Sequence, residues 1–162
     1  MKKLLSMLLV LAMVCSLVGC GLSEVLPEVS DPGTTQSQSA PEETAPKLDE
    51  DGTYASKEDV ALYLHLYGHL PHNFMTKKEA KALGWTGGSL EPYAPGMCIG
   101  GDRFGNYEGL LPEAPGRTYT ECDIDTLGAS SRGAKRIVFS NDGLIYYTGD
   151  HYESFTLLYG EE

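Results

Sequence analysis

Basic side chains are scarce in this sequence. Its 162 residues contain 12 Lys and Arg against 23 Asp and Glu, which gives a formal net charge of −11 at pH 7. From residue 51 onward the balance is 9 against 16, a net charge of −7. A chain with this balance has no global positive field to attract a polyanion. Any site for nucleic acid must therefore be local.

Apolar runs of membrane-spanning length are also lacking. The first twenty residues, MKKLLSMLLVLAMVCSLVGC, place a short apolar run after two lysines, which predicts a secretory signal. The run ends in Leu17-Val18-Gly19-Cys20, which resembles the processing box of bacterial lipoproteins. That resemblance implies cleavage before Cys20, a diacylglycerol on its sulfur, and attachment to the outer face of a membrane. An uncleaved anchor and an ordinary signal peptide are the alternatives, and each places the protein outside the cytosol.

Large apolar residues are few between residues 20 and 50, where the sequence reads SDPGTTQSQSAPEETAP. Such a composition cannot bury enough surface to offset the entropy of ordering, so it predicts a disordered tether. The chain thus divides into a lipoprotein signal peptide (1–19), a lipidated cysteine with its tether (20–50), and one folded domain (51–162).

The folded part begins with helical patterns and ends with strand patterns. Ser56 and Thr76 are each followed three residues later by an acid, which predicts two capped helices, the first ending at Gly68. A short third helix is expected over residues 90–93. The later apolar runs predict strands over Met97–Gly101, Arg117–Ile124, Lys135–Ser140, Leu144–Thr148 and Ser154–Tyr159. This order predicts an α+β fold in which N-terminal helices pack on one face of a C-terminal antiparallel sheet.

Polar side chains are expected on the free face of that sheet. In YTECDI, alternation places Cys122 on the side opposite Glu121 and Asp123. In KRIVF, a core position for Ile137 leaves Arg136 on the same side as Glu121. Both polar side chains therefore point away from the helices.

Two more polar residues join this face. Arg132 precedes the strand of Arg136, and His151 lies in the turn of TGDHYESF, after the fourth strand. A carboxylate, two guanidiniums and an imidazole, without a Cys or His pair at metal-ligand spacing, suit phosphate chemistry. The alternative is an ordinary solvated sheet face.

Several stretches together resemble the barnase-type extracellular guanyl-preferring ribonucleases: YLHLYGHLPHNFMTKKEAKALGW, IGGDRFGNYEGLLP, GRTYTECDI, KRIVFSNDGLIYYT and DHYESFT. The resemblance implies a metal-independent, cofactor-free endoribonuclease that cleaves single-stranded RNA after guanosine through a 2′,3′-cyclic phosphate. Glu121 falls on the family's general base and His151 on its general acid. The positions of phosphate-binding cations are matched by Lys77, Arg132 and Arg136.

The resemblance also implies a guanine-binding loop in FGNYE. Backbone groups from Phe104 to Asn106 are expected to read the guanine carbonyl, and Glu108 to accept from its ring N–H and amino group. Phe104 and Tyr152 are expected to supply aromatic faces, and Asp102 belongs to the same substrate-binding set.

Three departures from the family are visible. TLGASSR is one residue longer, so Arg132 is assigned only by its distance from Arg136. Tyr107 stands where the family usually has an Arg, which places tight binding to a barstar-like inhibitor protein in doubt. The family's familiar members are basic, whereas this domain is acidic, which predicts weaker affinity for long RNA.

Cys98 and Cys122 are the only cysteines after Cys20. Outside the cytosol they are candidates for a disulfide. If Ile99 is the core residue of its strand, however, Cys98 faces away from Cys122, unless a bulge at Gly100-Gly101 alters the register. The bridge and a pair of free thiols both stay open.

The resulting hypothesis is a monomeric ribonuclease held by lipid on the outer face of a bacterial membrane, or secreted. The rival is a catalytically weak surface lipoprotein that binds nucleotides or a protein partner. Cleavage of a guanylyl dinucleotide to a cyclic phosphate distinguishes them.

Overall fold

The computed structural model describes residues 47–161. The predicted signal peptide, the lipidated Cys20 and nearly all of the tether lie outside these residues, so those assignments stay predictions. None of the helices in the described part is long and apolar enough to cross a membrane.

Both predicted helix starts are confirmed. Helix α1, Lys57–Tyr67, begins after Ser56, whose side chain accepts from the backbone N–H of Asp59, and it ends at Gly68 with φ 74°. Helix α2, Lys77–Ala82, begins with a complete capping box formed by Thr76 and Glu79. Such caps satisfy backbone donors that the first turn leaves unpaired, and each stabilises its helix by about 1 kcal/mol.

The expected third helix is wrong. Residues 90–93 form a single turn in which the carbonyl of Leu90 accepts from the N–H groups of Tyr93 and Ala94, both at 2.9 Å. Pro95 prevents extension, because its ring lacks an N–H and disfavours a helical backbone at the preceding residue.

The sheet has six strands in sequential order, and every neighbouring pair is antiparallel except the parallel pair β1–β2. Five strands were predicted, and the α+β fold class is confirmed. The additional strand β1 contains only two residues. The strands are β1 Phe74–Met75, β2 Cys98–Phe104, β3 Tyr119–Asp123, β4 Arg136–Ser140, β5 Ile145–Thr148 and β6 Thr156–Tyr159.

A β-bulge in β2 changes the expected pattern. The register shifts between Gly100 and Asp102, and Gly101 adopts φ 94°, which favours glycine. The strand therefore continues to Phe104 instead of ending at Gly101. Beyond the bulge, Asp102 pairs with Glu121.

The core has three parts. Helix α1 packs on one face of the sheet against Cys122, Ile124, Ile137 and Ile145. Helix α2 packs separately, in a cluster that contains Ala80, Trp85, Leu90 and Ile99. On the face opposite α1, a second apolar cluster covers one end of the sheet and leaves the other end to polar groups; it contains Leu111, Tyr119, Val138, Leu144 and Tyr146.

Cys98 and Cys122 are free and buried. A Cβ added at Gly100 would lie 2.6 Å from Cβ of Cys122, so both residues face α1, and Cys98, two positions earlier, shares that side. The expectation that Cys98 faces away from Cys122 was therefore wrong. It assumed that only one side of the strand is buried, whereas Cys98 on one side and Ile99 on the other are both buried. Burial raises the pKa of both thiols.

Candidate active site

Glu121 lies at the centre of the candidate site. It is the third residue of β3, and its side chain is buried on the face opposite α1. Its two carboxylate oxygens are bound by different elements: Oε1 by Nζ of Lys77 and Oε2 by the hydroxyl of Tyr152. The sheet, helix α2 and the β5–β6 loop thus converge on one carboxylate.

Lys77 is positioned through Asp102. The Oδ2 atom of Asp102 accepts from the backbone N–H of Lys77 at 2.9 Å, where α2 begins. A carboxylate at this point also interacts favourably with the helix dipole. Asp102 pairs with Glu121 across β2 and β3, so one strand pairing aligns both the carboxylate and the lysine that contacts it. Asp102 was predicted to bind substrate, and in the structure its carboxylate instead binds the first residue of α2.

The two arginines share Asp123. Arg132 binds it bidentately, with Nε 2.6 Å from Oδ2 and Nη2 2.7 Å from Oδ1. Nε of Arg136 lies 2.8 Å from Oδ1, an ion-pair distance, although it has no hydrogen-bond partner among residues 47–161. Asp123 and Arg136 are both 1% exposed.

The guanidinium of Arg136 also binds three backbone carbonyls. Its Nη1 donates to the carbonyls of Arg132 and Lys135 at 3.2 and 2.7 Å, and its Nη2 to that of Gly133 at 3.1 Å. Arg136 therefore organises the loop before β4. Arg132 keeps its Nη1 group unbonded within residues 47–161, which makes it the guanidinium better suited to an incoming anion.

Arg132 is also supported by Trp85, since its guanidinium carbon lies 5.8 Å from the centre of the indole ring. The longer β3–β4 loop does not displace it from Arg136. Sequence reasoning gave Asp123 no role, although the alternation that placed Glu121 on this face placed Asp123 there too.

His151 is exposed on the β5–β6 loop, as expected. Its backbone N–H donates to the carbonyl of Ala134 at 3.2 Å, and its ring centre lies 4.8 Å from that of Tyr152. Both residues have positive φ, 60° and 76°, a conformation that few side chains adopt without support. Tyr152 therefore lies between the exposed imidazole and the buried carboxylate of Glu121.

Asp150 supplies the support for this backbone. Its carboxylate accepts from the hydroxyl of Thr148 at 2.8 Å, from the N–H of Glu153 at 3.1 Å, and from both the N–H and the hydroxyl of Ser154 at 3.0 and 2.5 Å. These hydrogen bonds, with the Ser154 hydroxyl contributing most, lower the pKa of Asp150 to about 2. The local sequence pattern had assigned this residue no role.

Tyr152 has an altered acidity. Burial, followed by the hydrogen bond to Glu121 and the charge of that carboxylate, raises the pKa of the phenol. The phenol is therefore protonated at neutral pH and donates to Glu121. Its ring packs on Phe104, with the ring centres 5.2 Å apart.

The predicted guanine loop begins where β2 ends. The side-chain amide of Asn106 exchanges two hydrogen bonds with the backbone of Leu111, at 2.9 and 3.0 Å, and so closes the loop on itself. Glu108 is exposed and makes no hydrogen bond or ion pair with any residue in 47–161. The loop is therefore fixed by Asn106, and the carboxylate of Glu108 is available to a ligand.

The known proteins to which this chain is similar are described as ribonucleases. A family model described as ribonuclease matches residues 57–159. A ribonuclease of Bacillus intermedius is 41% identical over 163 aligned residues, which cover 96% of this chain and 98% of that protein. A ribonuclease of Heyndrickxia coagulans is 51% identical over 100 residues, 60% of this chain and 91% of its own length. The guanyl-specific ribonuclease St of Saccharopolyspora erythraea is 44% identical over 57 residues, 35% of this chain and 56% of that protein.

Proposed function

The chain belongs to the ribonuclease family, and we propose that it cleaves single-stranded RNA after guanosine by attack of the ribose 2′-hydroxyl on the adjacent phosphorus. The observation that carries the proposal is the setting of Glu121, a buried carboxylate that contacts a lysine and a tyrosine hydroxyl at the polar end of the sheet.

Glu121 is the general base in this proposal. It removes the proton of the 2′-hydroxyl, and the 2′-oxygen forms a bond to phosphorus. His151, as an imidazolium, gives a proton to the 5′-oxygen as its bond to phosphorus breaks. The product is a 2′,3′-cyclic phosphate, which water opens with the two roles reversed.

Charge on the reacting phosphate is stabilised by Lys77 and Arg132. Lys77 directly contacts Glu121, so its ammonium lies beside the group that receives the proton. Arg132 is fixed by Asp123 and offers the remainder of its guanidinium. Arg136 adds positive charge from a buried position, with most of its donors already bonded to the protein.

The direct test is product analysis with a guanylyl dinucleotide. The purified protein should release a guanosine 2′,3′-cyclic phosphate first and the 3′-phosphate later, with equal rates before and after treatment with a chelator. A protein that binds the dinucleotide and releases no cyclic phosphate would instead favour the nucleotide-binding lipoprotein.

Glu108→Gln should weaken the preference for guanosine more than it slows the chemical step. A carboxylate accepts from both the ring N–H and the amino group, whereas the amide presents one donor to a base edge that is itself donating. Loss of the charge-assisted pair should reduce discrimination by about 1.5–3 kcal/mol. The measurement is kcat/KM on guanylyl and adenylyl dinucleotides.

Glu161→Gln is the matched control for this change, because it removes another exposed carboxylate at a position far from the loop in sequence. It should leave the guanosine-to-adenosine ratio unaltered. If Glu108→Gln leaves that ratio unaltered as well, Glu108 does not read the base.

We also propose lipid attachment at Cys20. Cys20→Ala should abolish labelling by a radioactive fatty acid and shift the protein from the membrane fraction, because the diacylglycerol is carried on that sulfur. The specific activity on dinucleotides should not change, since the site residues lie far along the chain. Recovery of a lipid-labelled Cys20→Ala protein would contradict the assignment.

A further inference from the structure

Tyr107 is the most exposed large apolar side chain in the described part of the chain. It is 95% exposed, whereas the next two, Leu83 and Leu110, are 53% and 52% exposed. Its hydroxyl has no hydrogen-bond partner within residues 47–161. An aromatic ring usually contributes to stability by burying a large area. The Tyr107 ring buries almost no area and so contributes almost nothing to stability by burial. It is instead open to a role in binding.

The ring lies close to the backbone of its own loop. A Cβ added at Gly105 would lie 2.3 Å from Cε2 of Tyr107, which means that the ring rests against the backbone of Gly105, where any side chain would displace it. The loop beneath is closed by the hydrogen bonds between Asn106 and Leu111 and by the bond from Gly109 N–H to Asn106 O at 3.0 Å. The loop that carries Tyr107 is therefore closed by its own hydrogen bonds, while the ring itself is open to solvent.

Tyr107 is also close in sequence to two aromatic rings that lead to the catalytic carboxylate. Tyr152 contacts Glu121, and Phe104 packs on Tyr152. Phe104 and Tyr107 are three positions apart in the chain, so their Cα atoms are at most about 11 Å apart. This places the exposed ring at the outer end of the site, within reach of a nucleotide next to the one that is cleaved.

The surrounding charge favours a base as the occupant. Glu108 follows Tyr107 directly, Asp102 and Glu113 lie on either side of the loop in sequence, and residues 51–162 carry a net charge of −7. The Tyr107 ring itself carries no charge for a phosphate, although Arg103, four positions earlier in the chain, is exposed. Stacking of a base on an aromatic ring needs no positive charge and contributes about 1–3 kcal/mol per base.

A protein partner fits this surface less well. The exposed apolar side chains of the loop are Tyr107 and Leu110, and the others in the described region lie on other segments: Leu66, Leu83, Tyr93, Leu127 and Leu157. Stable protein interfaces need about 800 Å² on each partner, with a cluster of buried anchors. A single ring on a fixed loop matches the size of one base.

We propose that Tyr107 is a stacking platform for a nucleobase adjacent to the guanosine, so that substrates longer than a dinucleotide gain affinity through a contact that does not depend on salt. The inference rests on the proposed cleavage after guanosine. It predicts little selectivity at the neighbouring position, because every base has a face that can stack.

The test compares three substrates: a guanylyl-adenosine dinucleotide, and the same dinucleotide extended by one nucleotide at its 5′ or its 3′ end. Tyr107→Ala should lower kcat/KM for one of the extended substrates by about 5- to 100-fold. Its effect on the dinucleotide should stay within about twofold. Tyr107→Trp should retain the gain, and the ratio should persist as salt rises, unlike contributions from phosphate contacts.

Tyr93→Ala, which removes a partly exposed ring outside the site, is the matched control and should change none of these rates. Equal losses on all three substrates, or no loss on any, would overturn the inference; in the latter case a protein contact becomes the better account of the ring. Failure of the parent protein to cleave the dinucleotide would instead refute the proposed function. The affinity of parent and Tyr107→Ala proteins for the corresponding 2′-deoxy trinucleotides still tests stacking in that case.

Discussion

His151→Gln should nearly eliminate RNA cleavage while leaving the fold intact. The leaving 5′-oxygen then has no proton donor, and general acid assistance is worth about 10²–10⁴-fold. The residue is exposed on a loop, so the loss of its side chain removes little packing. Dinucleotide cleavage by the parent should be bell-shaped in pH, since Glu121 must be ionised and His151 protonated.

The positive φ of His151 determines which control variant is suitable. Its φ of 60° is tolerated better by Asn than by Gln, so His151→Asn separates the loss of the imidazole from strain in the loop. Both variants should lose activity to the same extent and unfold within a few degrees of the parent. Cleavage by either variant at the parent rate would remove His151 from the mechanism.

Glu121→Ala provides the complementary result. It should also impair cleavage, though less completely if water accepts the 2′ proton. It leaves the Lys77 ammonium and the Tyr152 hydroxyl without their shared partner, so its kinetic effect includes their rearrangement. His151→Gln is therefore the cleaner of the two tests.

Asp123→Ala should be the most destabilising of these changes, by about 3–5 kcal/mol. The carboxylate is fully buried between two guanidiniums, and its removal leaves the charge of Arg136 buried without compensation. Urea unfolding followed by circular dichroism measures the difference in the free energy of unfolding.

The chain contains a matched ion pair for comparison. Lys135 binds Asp125 at 2.8 Å, and their side chains are 53% and 40% exposed. Solvent-exposed pairs contribute about 0–1 kcal/mol, so Lys135→Ala should cost far less than Asp123→Ala. Similar losses from both variants would show that burial of Asp123 does not set its contribution.

Local signals in the sequence were sufficient for several features. The caps at Ser56 and Thr76 depend on residues three positions apart, and the sides of β3 and β4 depend on strict alternation. Alternation alone therefore places Glu121 and Arg136 on the correct face of the sheet.

Other features depend on contacts between distant segments. The bulge between Gly100 and Asp102 sets the register of β2, and with it the pairing of Asp102 with Glu121 and the common side of Cys98 and Cys122. The hydrogen bond from Tyr152 to Glu121 joins residues 31 positions apart. Alternation within one strand contains no information about such pairings, and for this reason it does not reveal the roles of Asp123 and Asp150.

The hydrogen bonds around Asp150 have a consequence for the conformation of the β5–β6 loop in acid. Its carboxylate holds the loop fully above its ordinary pKa of 3.8, and this support is lost only as the pH falls through about 2. Acid that protonates carboxylates of ordinary pKa therefore leaves the hydrogen bonds to Asp150 in place. The backbone around Asp150 should keep its conformation over a wider range of acidity than a loop closed by a carboxylate of ordinary pKa.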